Sequence, residues 1–303
     1  DLYVDVVYER QIQQQTKYKE YKAGIDIGLD ELLGIVSENP KLRSFIISGK
    51  EIKSFNQWFN KERAKIRSQI DYLKNEIESG DYEDTARLQI KLKELEMKER
   101  ALSSHRKRWL DNNLHKISRK IVDLLYQTGH NIIYIGKNAI ESKDGIELGK
   151  RINQHFVSIP FRRLVELIKY KANKLGITVV EVDESYTSKT SPFADILKIQ
   201  NTKNKSLCKG ERERNTFKDF FTKKIFHADL VGALNILRVG AKLHELGFYD
   251  NLKVMFHKLC NPVRLKLIDF LYKVSPESLQ IGSSRQELSL VGWTRKMESF
   301  GYV

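Results

Sequence analysis

The chain has 303 residues, with 53 Lys and Arg set against 39 Asp and Glu, for a formal charge of +14. That length suits one large domain or two modest ones and buries enough surface to fold without disulfide staples. Hydrophobic residues at 41%, with 14 Phe, 13 Tyr and 3 Trp, exclude a disordered basic tail, and the two cysteines, Cys208 and Cys260, supply neither a disulfide framework nor a four-cysteine zinc site.

Residues 2–8 alternate loosely and predict a strand, followed by a polar linker to residue 20. AGIDIGL, residues 23–29, is a short apolar strand interrupted by one carboxylate, Asp26. ELLGIVSE and RSFIISGKE, residues 31–38 and 43–51, predict two more strands, so an antiparallel meander opens the domain. From Phe55 the period changes: Ile66, Ile70, Leu73 and Ile77 step at helical spacing, Gly80 breaks the run, and Leu88, Leu92, Leu95 and Leu102 continue it towards residue 126. Two long amphipathic helices about a glycine turn make an αα-hairpin. Within it the run HRKRW, residues 105–109, sets basic side chains beside a tryptophan, a composition that suits a phosphate backbone as well as a solvated face.

NIIYIG, residues 131–136, predicts a fourth strand. Pro160 then starts a helix that Gly176 ends, with Arg162 and Arg163 off its apolar side. ITVVEV, residues 177–182, reads as a buried fifth strand, and residues 201–225 as a basic loop or small subdomain. A helix from His227 carries Asp229 in its first turn, and residues 248–303 are mixed. This order predicts an α/β fold with a mixed, RNase H-like sheet flanked by helices and a long αα-hairpin inserted after the third strand. The charge excess points to a polyanionic partner, most simply nucleic acid. No apolar run reaches the ~18 residues of a membrane span, and no membrane partner is expected.

Three carboxylates stand where packing does not explain them. Asp26 interrupts an apolar strand, and a carboxylate there needs a partner or a metal ion. Glu184 follows the fifth strand, where active-site groups of sheets commonly sit. Asp229 has an ordinary alternative as a helix-start residue. Together they form the oxygen-rich set that Mg²⁺-dependent nucleases use.

AGIDIGL, GKEIKSFNQWFNKERAKI, NIIYIGKN, IPFRRLVELIKYKANKLGITVVEVDESYTSKTS and HADLVGALNILR together resemble the RuvC-like nuclease of the TnpB/OrfB family, encoded by bacterial and archaeal insertion sequences and often labelled transposases. The resemblance spans residues 22–238 and implies an RNA-guided, Mg²⁺-dependent DNA endonuclease. It implies two Mg²⁺ ions, with Mn²⁺ as a substitute, held by Asp26, Glu184 and Asp229. A DNA target and a guide RNA would be the partners, in the nucleoid-associated cytoplasm of a prokaryote. Asp26 and Asp229 match the first and third motif aspartates. The second motif departs, with Gly136 where a catalytic Glu is usual; Glu184 matches the Fanzor-like site in which a downstream glutamate takes over. No zinc is expected, because the four-cysteine ribbon of most relatives is missing and the stretch CKGERERNTF stands in its place. Arg162, Arg163, Lys189, Lys209, Arg212 and Arg214 are the expected nucleic-acid contacts.

The implied organisation is the end of a preceding recognition domain and linker over 1–20, nuclease part I over 21–54, the hairpin over 55–128, parts II and III over 129–245 with the basic loop 201–225, and a tail over 246–303. The chain opens on Asp1, which suggests the nuclease half of a longer protein. Gly136 also leaves open a second reading, a guide-directed DNA-binding protein that has lost cleavage.

Overall fold

The structure, a computed structural model, describes residues 20–28, 30–79, 85–137, 159–242, 258–260 and 262–281. The strand expected at residues 2–8, most of the linker after it and much of the C-terminal tail lie outside them.

Three strands open the fold: β1 (Tyr21–Ile27), β2 (Glu31–Ser37) and β3 (Phe45–Ser48). They pair antiparallel, as the short turns between them require. Two helices follow, α1 (Lys50–Ser79) and α2 (Thr85–Gln127). Next come β4 (His130–Gly136), α3 (Phe161–Lys174) and β5 (Thr178–Val182). Both β4 and β5 run parallel to β1. With β9 (Val263–Leu265) added beside β3, the sheet order is β5-β4-β1-β2-β3-β9. An antiparallel meander extended on its first strand by two parallel strands is the RNase H-like arrangement, and the long αα-hairpin enters between β3 and β4 as the periodicity predicts.

Alternation along the strands gives the sheet two apolar faces. Ile25, Ile27, Ile133 and Ile135 face α2 and α3 and join Leu114, Ile117, Ile121, Leu164 and Ile168 in one core. Val36, Ile46 and Tyr134 turn to the opposite face, where they meet α5 (Ala228–Gly240). Ten of the residues of α5 are buried, including Leu230, Val231, Leu234 and Ile236, so this helix lies sandwiched rather than on the surface. It approaches β1 and β2 closely enough that a Cβ on Gly24 would strike the Ala233 carbonyl, and one on Gly34 would reach 3.0 Å from the Asp229 carbonyl oxygen.

The hairpin's distal half is held by Ile70, Leu73 and Leu95, with Ile66, Leu88 and Leu92 around them, and by Arg63 and Arg67, which both reach Glu99 Oε1 at 2.8 Å.

The structure departs from the sequence reading in four places. First, α1 begins at Lys50 rather than Phe55, because the Ser48 hydroxyl accepts from the Lys50 amide at 3.3 Å and so starts the helix inside the expected strand. Second, β5 is an edge strand with Thr178 and Val180 exposed, not a buried one. Third, the basic stretch is a small subdomain, the second of its two readings, and not a loop: α4 (Ile196–Thr202) leads to a three-stranded sheet of β6 (Gly210–Glu213), β7 (Thr216–Asp219) and β8 (Ile225–His227). Cys208 is buried there with Ala194 and Ile199. Fourth, the C-terminal stretch supplies β9 and α6 (Leu267–Tyr272), which cover the β3 edge of the main sheet.

Candidate active site

The α5 face of the sheet carries the carboxylates. Asp26 lies on β1 opposite Gly34 of β2, and Ile25 pairs with Ile135 of β4. One step along these two parallel strands, Asp26 and Gly136 therefore stand side by side on the same face. Chain surrounds the Asp26 carboxylate while leaving it some solvent contact. Burial, then the charges of Asp229 and Glu184, push its pKa well above the ordinary carboxylate value, and Arg212 opposes them weakly. The helix can cross above it only because position 232 is glycine, since a Cβ there would collide with Asp26 Oδ2.

Gly136 is explained by the same geometry. A Cβ built on it would collide with Glu184 Oε2 and stand 3.0 Å from Glu184 Cδ. The space a side chain at position 136 would enter is filled by Glu184, which arrives from the turn after β5. That turn is fixed by its own backbone: Thr187 donates from N and Oγ1 to the Glu184 carbonyl, at 3.0 and 2.8 Å. Asn235 of α5 then clasps the carbonyls of Thr187 and Thr190, each at 2.8 Å.

Asp229 comes from the first turn of α5. Its Oδ1 accepts from Arg212 Nη2 at 2.7 Å, and its carboxylate is still pushed up by burial, with Arg212 pulling the other way. Arg212 thus turns inward to a carboxylate instead of outward, a placement the sequence did not signal because the pair closes across a hairpin. Behind it, buried Glu31 pairs with Arg264 of β9, and Arg264 Nη2 lies 3.3 Å from His227 Nε2. His227 is kept neutral, its pKa pushed down to about 3 by burial and by the two arginines. A Glu at the head of an apolar strand was the available signal for Glu31; nothing in the sequence marks Arg264.

Glu184, seated against Gly136, and Asp229 therefore each bring a negative charge to bear on Asp26. The other candidates do not join them. Lys189, Lys209 and Arg214 are exposed, Lys209 and Arg214 on the small three-stranded unit. Arg162 and Arg163 are exposed at the start of α3, paired with Glu166 at 3.3 Å and Asp111 at 3.4 Å. Among the described residues, no group of three acidic, imidazole or thiol side chains is placed to hold a metal ion. The donor chemistry nonetheless fits a hard divalent cation: three carboxylates, with Arg212 as the cation paired to one of them.

Burial of these carboxylates sets a pH dependence. Raised carboxylates bind protons more tightly in the folded protein than in the unfolded chain, so their charge costs stability at neutral pH, and the cost fades as pH falls through the raised folded values. Asp26→Asn is expected to raise the melting temperature of the metal-free protein at pH 7. Thermal melting in chelator at several pH values should show the gap closing towards pH 4; a constant gap contradicts the assignment.

A family model described as a probable transposase, OrfB_IS605, matches residues 5–141, and one described as Cas12f1-like, TNB domain, matches residues 161–236. The chain is 29% identical over 245 residues to the TnpB-like protein ORF457 of Acidianus two-tailed virus, covering 78% of this chain and 46% of that protein. It spans about half the length of this curated relative. Among solved structures it is similar to a Cas12f1-sgRNA-target DNA complex at 16% identity and TM-score 0.48, covering 74% of this chain and 51% of that one. It is similar to a CRISPR-Cas12f ternary complex at 17% identity and the same TM-score, covering 75% and 40%.

Proposed function

We propose that the chain is a member of the TnpB/OrfB family of insertion-sequence proteins and the nuclease portion of an RNA-guided DNA endonuclease whose catalytic carboxylates are Asp26, Glu184 and Asp229. The observation that carries this reading is the seating of Glu184 against Gly136, beside Asp26, which supplies a second-motif carboxylate where the strand itself has none.

Asp26, Glu184 and Asp229 would be the residues that hold the divalent cations, Mg²⁺ or Mn²⁺. Such ions supply the Lewis-acid chemistry of in-line phosphodiester hydrolysis. The chain's own contribution is rigid placement: β1 fixes Asp26, the clasped turn after β5 fixes Glu184, and the first turn of α5 fixes Asp229. Arg212 supplies Asp229 with positive charge when no cation does so. Lys189, Lys209, Arg214, Arg162 and Arg163 hold phosphates, while target choice rests on pairing between guide RNA and DNA.

The test is cleavage by the full-length protein loaded with its native guide RNA. Cutting should require Mg²⁺ or Mn²⁺ and stop on chelation, and Asp26→Ala should bind target as the parent does without cutting it. Metal-independent cutting, or full activity in Asp26→Ala, overturns the reading. A guide-directed DNA-binding protein without cleavage is the second reading, favoured by the Arg212–Asp229 pair and by the unclosed ligand set. It predicts target binding and no cutting under any divalent cation.

A further inference from the structure

The αα-hairpin carries an aromatic cluster that its packing buries only in part. On α1, Phe55 and Trp58 lie 5.5 Å apart between ring centroids, and on α2 Trp109 stacks on Phe55 at 3.9 Å with an interplanar angle of 18°. His105 completes the group, 5.9 Å from Phe55 and edge-on to Trp58 at 6.4 Å. Trp58 is 45% exposed and His105 is exposed as well, so two rings of the four face water. A large aromatic group left open on a helix pair marks an interaction site.

Its surroundings select the partner. Lys61 follows Trp58 by three residues and Arg108 follows His105 by three, the helical spacing that puts neighbours on one face, and both are exposed. Rings that offer flat faces, rimmed by cations, match unpaired bases on a phosphate backbone. The position also fits. Lys53 of α1 pairs with Asp30, and Asp30 is among the charges that raise the pKa of Asp229. The start of α1 is therefore tied to Asp30, whose charge reaches Asp229, and Trp58 stands five residues farther along, about 7–8 Å at the helical rise.

We propose that Phe55, Trp58, His105 and Trp109 form a stacking platform for a single-stranded nucleic-acid segment on its way to or from the carboxylates. This rests on the nuclease reading for its purpose and not for its chemistry. Trp58 and His105 offer faces to bases, Phe55 and Trp109 brace them from below, and Lys61 and Arg108 reach phosphates.

The experiment is equilibrium binding of fluorescent single-stranded DNA to the full chain in chelator, so that cleavage plays no part. It compares an ordinary strand with an abasic strand of the same length. Trp58→Ala should weaken binding of the ordinary strand roughly 5- to 100-fold, Trp58→Phe should keep most of the affinity, and neither should alter binding of the abasic strand. Equal affinity of Trp58→Ala and parent for the ordinary strand overturns the proposal, and so does an equal loss on both strands. If the patch instead serves a protein or a second copy of this chain, Trp58→Ala changes the sedimentation profile and leaves DNA affinity alone, which also overturns it. Base-dependent binding through Trp58 in a protein that cuts under no metal leaves the platform standing and removes the nuclease reading; the reverse pattern removes the platform alone.

Discussion

Glu184→Gln is expected to lower guided cleavage by roughly 10³-fold while target binding and thermal stability stay near those of the parent. The substitution keeps the side chain's shape and its place over Gly136 and removes only the negative charge. A structural role would survive such an exchange; a cation-holding role does not. Single-turnover cleavage of a labelled target, measured beside equilibrium binding, separates the two. Retention of more than a tenth of the parent rate would remove Glu184 from the catalytic set and leave a site with two aspartates.

The second large effect is at Gly136 itself. Gly136→Ala places a methyl group against the Glu184 carboxylate and, at 3.0 Å, against Ile236 Cδ1 of α5. Glu184 must move, and cleavage is expected to fall roughly 10²-fold, since small displacements of catalytic groups carry costs of that size. The informative partner is the double variant Gly136→Glu with Glu184→Ala. It returns the second carboxylate to the strand end and vacates the space that Glu184 fills. Recovery of cleavage above that of Glu184→Ala alone supports one carboxylate position reached by two routes. No recovery, with the double variant folded by circular dichroism, shows that the route through the β5 turn is required.

The contrast between Asp26 and Arg212 shows what the sequence could and could not give. Asp26 stands out because a charge inside an apolar strand has few structural explanations, and β1 forms as its pattern predicts. The meander, the helical hairpin and α3 are legible for the same reason: their apolar residues keep a period long enough to recognise. Glu184 was legible as a carboxylate past a strand end, but its seat over Gly136 depends on a turn closed by Asn235, 48 residues or so downstream by hydrogen bonds at 2.8 Å, and such closures leave no local trace.

The small sheet of β6, β7 and β8 was hidden because its strands are three or four residues long and carry charge on their exposed sides. Its folding sets where Arg212 points. In an extended basic loop a phosphate contact is natural, whereas the β6–β7 hairpin turns the side chain onto Asp229. Strand β9 was hidden for the same reason of length, and with it Arg264 and its pairing to Glu31. The start of α1 was misplaced by five residues because Ile46, Ile47 and the Ser48 cap look like one continuous strand until the helix's first turn is seen.

The most direct test of the account is the location of Mn²⁺ in the metal-loaded protein, found by anomalous scattering. Mn²⁺ is expected on carboxylate oxygens of Asp26, Glu184 and Asp229, with Arg212 withdrawn from Asp229. Mn²⁺ held by Asp26 and Asp229 while Glu184 points elsewhere, or no ordered Mn²⁺ at the α5 face of the sheet, would contradict it.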